Sequence, residues 1–174
     1  ASFILIIPIT VIALVLMMTS KGSITFWSDR VGQNNKIFRM PKFRTMKLGT
    51  PIVASHSLND AKQYVTPVGV FLRKTSLDEL PQLWSILKGH MSFVGPRPAL
   101  FNQDDLIKLR TEKGIHKLVP GLTGWAQVNG RDELPISFKV DLDFEYVERQ
   151  SIFFDMYVLW LTFIRVVVGK GVSH

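Results

Sequence analysis

Residues 1–20 carry no charge, and from Phe3 to Met18 the chain is almost entirely Ile, Leu, Val and Met, with Pro8 inside the run. Every Lys, Arg, Asp and Glu lies downstream. An uncharged run of about 18–20 residues is long enough, at about 1.5 Å per residue, to cross a bilayer core as a helix. Pro8 complicates that reading, because proline lacks the N–H of the helical ladder and clashes with the carbonyl four residues back. Three placements follow: a secreted leader, a straight span, or a proline-broken helix that re-enters one leaflet. The leader lacks a basic start and a small-residue cleavage site. Lys21, Arg30, Lys36, Arg39, Lys42, Arg44 and Lys47 come next, and this excess of cations places the following domain on the cytoplasmic side. The chain begins at Ala1 rather than Met, so further sequence upstream is expected.

The remainder has the length of one domain. The 174 residues are 47% apolar, too greasy for disorder, and contain no Cys, which excludes a disulfide scaffold, a thiolate zinc site and a cysteine nucleophile. Lys and Arg number 21 against 14 Asp and Glu, a net charge of +7. The pattern predicts an α+β fold, mostly helical, with a membrane segment over 1–20 and one folding unit over 21–174. Ile24–Trp27 and Lys36–Met46 read as a short hairpin. Pro41 in the second stretch makes it an edge or bent strand. Thr66-Pro67 has the cap-then-proline order that opens a helix. Ser76-Leu77-Asp78-Glu79 has capping-box spacing ahead of an apolar run, Leu80–Leu87, that Gly89 ends. Asp104–Lys113 reads as a helix stopped by Gly114. Gly121–Arg131, with three glycines, reads as a loop or bent strand. Ser137–Glu148 is amphipathic at helical spacing. Ile152–Val168 is apolar but holds Asp155 and Arg165, which suits a helix lying in the membrane interface.

Candidate chemistry gathers around Asp78 and Glu79. Acids at a helix start are stabilised by the dipole, so the pair has a plain structural reading. Two carboxylates facing a phosphate repel it, and a divalent cation reverses that sign; Mg²⁺ takes one or two carboxylates together with phosphate oxygens. Arg97 stands in Gly95-Pro96-Arg97-Pro98, where two prolines stiffen the backbone and present the guanidinium for bidentate phosphate recognition. Lys42 and Arg44 share a face if their segment is extended. Arg131 follows a glycine loop that also offers Gln127 and Asn129. Each cation alone also reads as a solvated surface charge. The second Asp-Glu pair, Asp132-Glu133, reads as a turn and helix start. No Walker-type or dinucleotide glycine signature is present, and His56, His90, His116 and His174 have no metal-ligand spacing.

Four motifs stand in order: Lys42-Phe43-Arg44-Thr45-Met46, Leu77–Leu83, Met91–Pro98 and Pro120–Arg131. Together with the apolar first helix they resemble the bacterial sugar transferase family, the small monotopic phosphoglycosyl transferases, over essentially the whole chain. The resemblance implies transfer of a sugar-1-phosphate from a UDP-sugar to polyprenyl (undecaprenyl) phosphate with release of UMP, the first membrane step of glycan assembly. It implies Asp78 as nucleophile, an aspartyl-phosphosugar intermediate, and Mg²⁺ near Asp78 and Glu79. It implies a re-entrant helix broken at Pro8, interfacial helices, and a catalytic domain facing the cytoplasm at the bacterial inner membrane. Arg97 and Arg131 are then the leading phosphate contacts, with Lys42 and Arg44 supporting and Gln127 either touching substrate or making a loop hydrogen bond. The chain departs from the family pattern at Ser28, Ser85 and His90. Two other classes fit parts of the pattern. A non-catalytic module would hold anionic membrane lipid through its basic residues. A nucleic-acid binder fits the charge, but the apolar first segment argues against nucleic acid as a partner.

Overall fold

The computed structural model describes residues 2–19, 22–51, 61–130 and 134–168. The elements are α1 (Ser2–Thr19), β1 (Thr25–Val31), β2 (Ile37–Phe43), α2 (Pro67–Lys74), α3 (Leu83–Leu87), β3 (Ser92–Val94), α4 (Asp104–Glu112), β4 (Gly121–Thr123), α5 (Trp125–Asn129), α6 (Ile136–Arg149) and α7 (Ile152–Val168). This is the α+β composition that the sequence pattern predicts. The chain forms two compact units, one from residues within 1–28 and 41–84, the other from residues within 29–40 and 85–171. α1 belongs to the first unit.

In the first unit α1 runs without interruption through Pro8. The break expected there is therefore not an end of the helix; proline removes one N–H, and one missing bond does not terminate a helix whose other residues keep theirs. Ile12 and Leu16 are buried with Phe43 of β2 and Leu72 of α2, and Ile9, Ala13, Ile24, Val68, Leu77 and Leu80 pack around them. Ile9, Ile12, Ala13 and Leu16 follow helical spacing, so one stripe of α1 faces protein. The other side, Ile7, Val11, Leu14 and Met18, is exposed. At 18 residues and about 1.5 Å per residue, α1 is about 27 Å long. Among the described residues no helix is long and apolar enough to cross a membrane.

β1 and β2 pair as a two-stranded sheet, where both strands are edges, so Pro41 removes no ladder bond that a third strand would need. Beyond it Met46 bridges Val65, and the Thr66 N–H donates to Thr45 O (2.9 Å). Thr66 then caps α2 as predicted: its Oγ1 accepts from the Gly69 N–H at 3.0 Å, with Pro67 at the first helical position. Thr66→Ala is expected to lower stability by about 1 kcal/mol, measured as a shift in the denaturant midpoint.

The second unit is built on a parallel pair, with Ser92 opposite Gly121 and Val94 opposite Thr123. A parallel pair needs a long crossover, and the connection here carries α4. Ala99, Leu106, Ile115 and Val140 form one apolar cluster between α4 and α6. Val94, Val128, Tyr146, Phe154 and Val158 form another under α7. The loop or bent strand expected over Gly121–Arg131 is a strand only at its start, β4, and continues as the short helix α5, while Arg131 lies outside the described residues. Asp155 accepts from the Tyr146 hydroxyl (2.8 Å), and Thr162 bonds Thr123 (2.7 Å), so the inner side of α7 is tied down by polar as well as apolar contacts. Burial and the Asp155 carboxylate together push the Tyr146 hydroxyl above its ordinary range. The outer side of α7 exposes Phe153, Met156, Tyr157, Trp160, Phe163 and Ile164.

Candidate active site

Asp78 and Glu79 are placed by an abrupt turn. α2 ends at Thr75, Ser76 adopts a left-handed conformation (φ 56°, ψ 17°), and Leu77–Gln82 forms a 3₁₀ helix. The capping box and α-helix expected from Ser76 are not formed. A capping residue needs an extended backbone to aim its hydroxyl at the next turn, and left-handed Ser76 makes no side-chain cap bond; its carbonyl accepts the Glu79 N–H at 3.2 Å instead. With three residues per turn, Leu77 and Leu80 fall on one edge of this segment and enter the apolar cluster with Phe43 and Leu72. Glu79 and Gln82 share another edge. Asp78 is left 8% exposed, a buried carboxylate at the start of a short 3₁₀ segment rather than at the head of a long helix dipole.

Cations meet this dyad from two other segments. Lys42 of β2 donates to Glu79 Oε1 at 2.7 Å, with both side chains mostly covered. Arg73, in the last turn of α2, donates from Nε to Thr45 Oγ1 at 2.9 Å and interacts electrostatically with Asp78. Burial holds the Arg73 guanidinium below its ordinary value, and the Asp78 carboxylate pulls it back up. Two carboxylates and two cations thus share one locality of the first unit. Arg44 packs its Nη1 against Gly22: it is buried with no hydrogen-bond partner, and a Cβ on Gly22 would stand 2.9 Å from it.

Arg97 and Gln127 belong to the second unit. The Gly95–Ala99 backbone that carries Arg97 is pinned at successive carbonyls. Gln127 Nε2 donates to Leu122 O (3.0 Å), the loop bond considered from sequence, while its Oε1 is buried without a partner. Sequence reasoning passed over Arg73, Thr45 and Gln82. Thr45 stands inside a motif, and Arg73 precedes Asp78 by only five residues, but their convergence depends on the left-handed turn at Ser76. Gln82 is 1% exposed, and its Nε2 is buried without a partner. Among the described residues no group of three or more His, Asp or Glu side chains gathers as a metal cage.

A buried aspartate and a lysine-paired glutamate, with a second cation beside them, are equipped for phosphoryl chemistry. Comparison with known proteins agrees with that class. Residues 1–169 match the family described as bacterial sugar transferase, and the chain belongs to it. It is 39% identical over 169 residues to the UDP-glucose:undecaprenyl-phosphate glucose-1-phosphate transferase of Escherichia coli (strain K12), covering 92% of this chain and 36% of that protein. It is 32% identical over 164 residues to the UDP-N-acetylgalactosamine-undecaprenyl-phosphate N-acetylgalactosaminephosphotransferase of Aeromonas hydrophila, covering 91% and 39%. To the exopolysaccharide production protein ExoY of Rhizobium meliloti (strain 1021) it is 35% identical over 184 residues, covering 94% and 79%. The chain therefore spans little more than a third of the first two relatives and about four fifths of the third.

Proposed function

We propose that this chain catalyses transfer of a sugar-1-phosphate from a UDP-sugar to a polyprenyl phosphate, undecaprenyl phosphate being the acceptor named for its relatives. The observation that carries the reading is Asp78, buried beside Arg73 and next to the Lys42–Glu79 ion pair, in a member of the sugar transferase family. In the first step an Asp78 carboxylate oxygen bonds to the sugar-bearing phosphorus. The bond from that phosphorus to the bridging oxygen breaks, and its electron pair leaves on UMP. In the second step a phosphate oxygen of the polyprenyl phosphate attacks the same phosphorus and returns the carboxylate to Asp78. Dividing one displacement into two lowers each barrier. Lys42 cancels the charge of Glu79, and Arg73 offsets that of Asp78, so an incoming diphosphate meets a dyad whose repulsion is reduced.

The dyad fits Mg²⁺, which takes one or two carboxylates and completes its shell with phosphate oxygens and water rather than needing a protein cage. Asp78 and Glu79 are the residues assigned to hold it; it would draw negative charge from the phosphoryl group. Arg97 and Arg131 are assigned to phosphate contact, with Lys42 supporting through Glu79. Gln127 is assigned to substrate as well. A basic membrane-surface module without chemistry gives no reason to bury a carboxylate dyad among cations.

The exposed apolar sides of α1 and α7 support attachment to the bacterial inner membrane, each helix resting in one leaflet or its interface. Since one stripe of α1 is committed to its own protein core, re-entry into a single leaflet suits it better than a span. A cytoplasm-facing orientation follows from the cations after residue 20. The relatives are named for glucose and for N-acetylgalactosamine, so the donor is to be found by screening. Incubation with a panel of UDP-sugars, undecaprenyl phosphate and Mg²⁺ is expected to release UMP catalytically with at least one donor. Without acceptor it is expected to release about one UMP per chain, as a two-step route requires. Failure to release UMP from every donor would count against the proposal.

A further inference from the structure

We propose that Arg110 is a positioning residue for Arg97, acting through the backbone that carries it. The proposal rests on the assignment of Arg97 to phosphate contact. Its basis is the way the Gly95–Ala99 segment is held. Pro96 and Pro98 supply no N–H, so the segment can make few bonds of its own, and its carbonyls are met from outside. Pro96 O accepts from the Gly121 N–H (2.9 Å), Arg97 O from Arg110 Nη1 (2.7 Å), Pro98 O from Arg30 Nη1 (3.1 Å) and Ala99 O from the Val31 N–H (2.9 Å). Four consecutive carbonyls are thus fixed by three other segments of the chain: β4, α4 and the end of β1. The two at and just after Arg97 are fixed by arginine side chains.

Arg110 is itself immobilised. Its Nε and Nη2 both donate to Asp143 Oδ2, at 2.9 and 2.6 Å, with Arg110 8% and Asp143 1% exposed. One planar guanidinium therefore spends one edge on a carboxylate of α6 and another nitrogen on the carbonyl of Arg97. A lysine ammonium lacks that fixed fork. Replacing a buried ion pair by packed apolar side chains is often neutral or stabilising, so stability alone does not account for a charged pair here. What the charge supplies is a fixed direction: Asp143 orients the fork, and the fork sets the Arg97 carbonyl. Arg30 adds a second, lesser pin one residue on. Stiffening by Pro96 and Pro98 limits internal rotation, while Arg110 and Arg30 fix where the stiff piece points.

A double-mutant cycle tests this through binding of UDP, the portion common to all UDP-sugar donors, measured calorimetrically on the full chain with Mg²⁺. Arg97→Met and Arg110→Lys are each expected to weaken UDP binding, by about tenfold or more for Arg97→Met and severalfold for Arg110→Lys. In the Arg97→Met background Arg110→Lys is expected to have no further effect, since it acts only through Arg97. A purely structural role would lower the Tm while leaving the UDP affinity of the folded fraction unchanged, and that result overturns the proposal. Multiplying effects of the two substitutions overturn it as well. If Arg97→Met leaves UDP affinity unchanged, the phosphate-contact assignment fails and the positioning role falls with it. Should Arg110→Lys not fold, Arg30→Lys, which spares the buried pair, carries the same cycle: a smaller loss that vanishes in the Arg97→Met background supports the proposal, and no loss or an additive one overturns it.

Discussion

Asp78→Asn is expected to reduce UMP release by about 10³-fold or more while the chain still folds. The expectation follows from removing a nucleophile whose work no neighbouring group can assume, a class of substitution that costs several powers of ten. Asn is nearly isosteric, so Leu77 and Leu80 on the adjoining edge keep their place among Phe43, Leu72 and Leu16. The amide is neutral, however, and Arg73 loses the carboxylate that offsets its burial. The Tm is therefore expected to fall by a few degrees at most, consistent with losing about 1 kcal/mol. Initial-rate measurements on the variant, with a thermal melt alongside, separate the lost chemistry from lost fold. Activity within tenfold of the parent would remove Asp78 from the reaction.

Gly124→Ala is expected to be among the most disruptive single methyls in the second unit. Its φ of −173° is ordinary extended backbone, so the constraint is space and not conformation. A Cβ there would stand 3.0 Å from the Gly95 carbonyl carbon and closer still to its oxygen. Gly95 cannot yield, because its N–H donates to Thr123 O at 2.9 Å and the residue after it is bonded to Gly121. Gly121 faces the same crowding against the Gly95 N–H. The loss is expected to exceed about 3 kcal/mol, the range of severe steric lesions. Gly114→Ala provides the contrast: it has open space around it but φ of +72°, and its expected cost is only about 1 kcal/mol. Equilibrium unfolding of the two variants should reproduce that order.

These cases show which parts of the fold can be read from local sequence. Thr66-Pro67 carries its own cap and start, and α4, α6 and α7 carry amphipathic spacing, so each lies close to where the pattern puts it. The hairpin is equally local, and Pro41 correctly marks it as having no inner strand. The three glycines of Pro120–Arg131 also mark something real, but local rules assign glycine to turns. Gly121 and Gly124 serve instead to let β4 approach Gly95 across a parallel pair, a contact between distant segments. Ser76 misleads for a related reason: its spacing is that of a capping box, whereas the apolar demands of Leu77 and Leu80 accompany a left-handed turn and a 3₁₀ segment. Pro8 signals a lost hydrogen bond without deciding whether the helix stops.

The site divides in the same way. Asp78 and Glu79 stand out because two acids are adjacent, and Lys42 because it lies in a motif that the family shares. That Lys42 specifically meets Glu79, 37 residues away, is a product of folding. Arg73 meets Thr45 where Gly69 lets the first turn of α2 press on the Thr45 backbone, and the left-handed turn at Ser76 then brings Asp78 within reach of Arg73. Arg110 carries no motif signal at all. Its setting is visible only once Asp143 and the Arg97 carbonyl are seen around it.

The covalent route is observed by following the phosphorus itself. The full chain is incubated with the UDP-sugar selected by the panel, labelled in its sugar-bearing phosphate, with Mg²⁺ and no acceptor. Proteolysis and mass spectrometry then locate the label. A phosphosugar adduct is expected on the peptide carrying Asp78, formed in step with UMP release and discharged when undecaprenyl phosphate is added. Catalytic turnover with the label never on the chain, or with the adduct on a residue other than Asp78, would contradict the covalent route through Asp78.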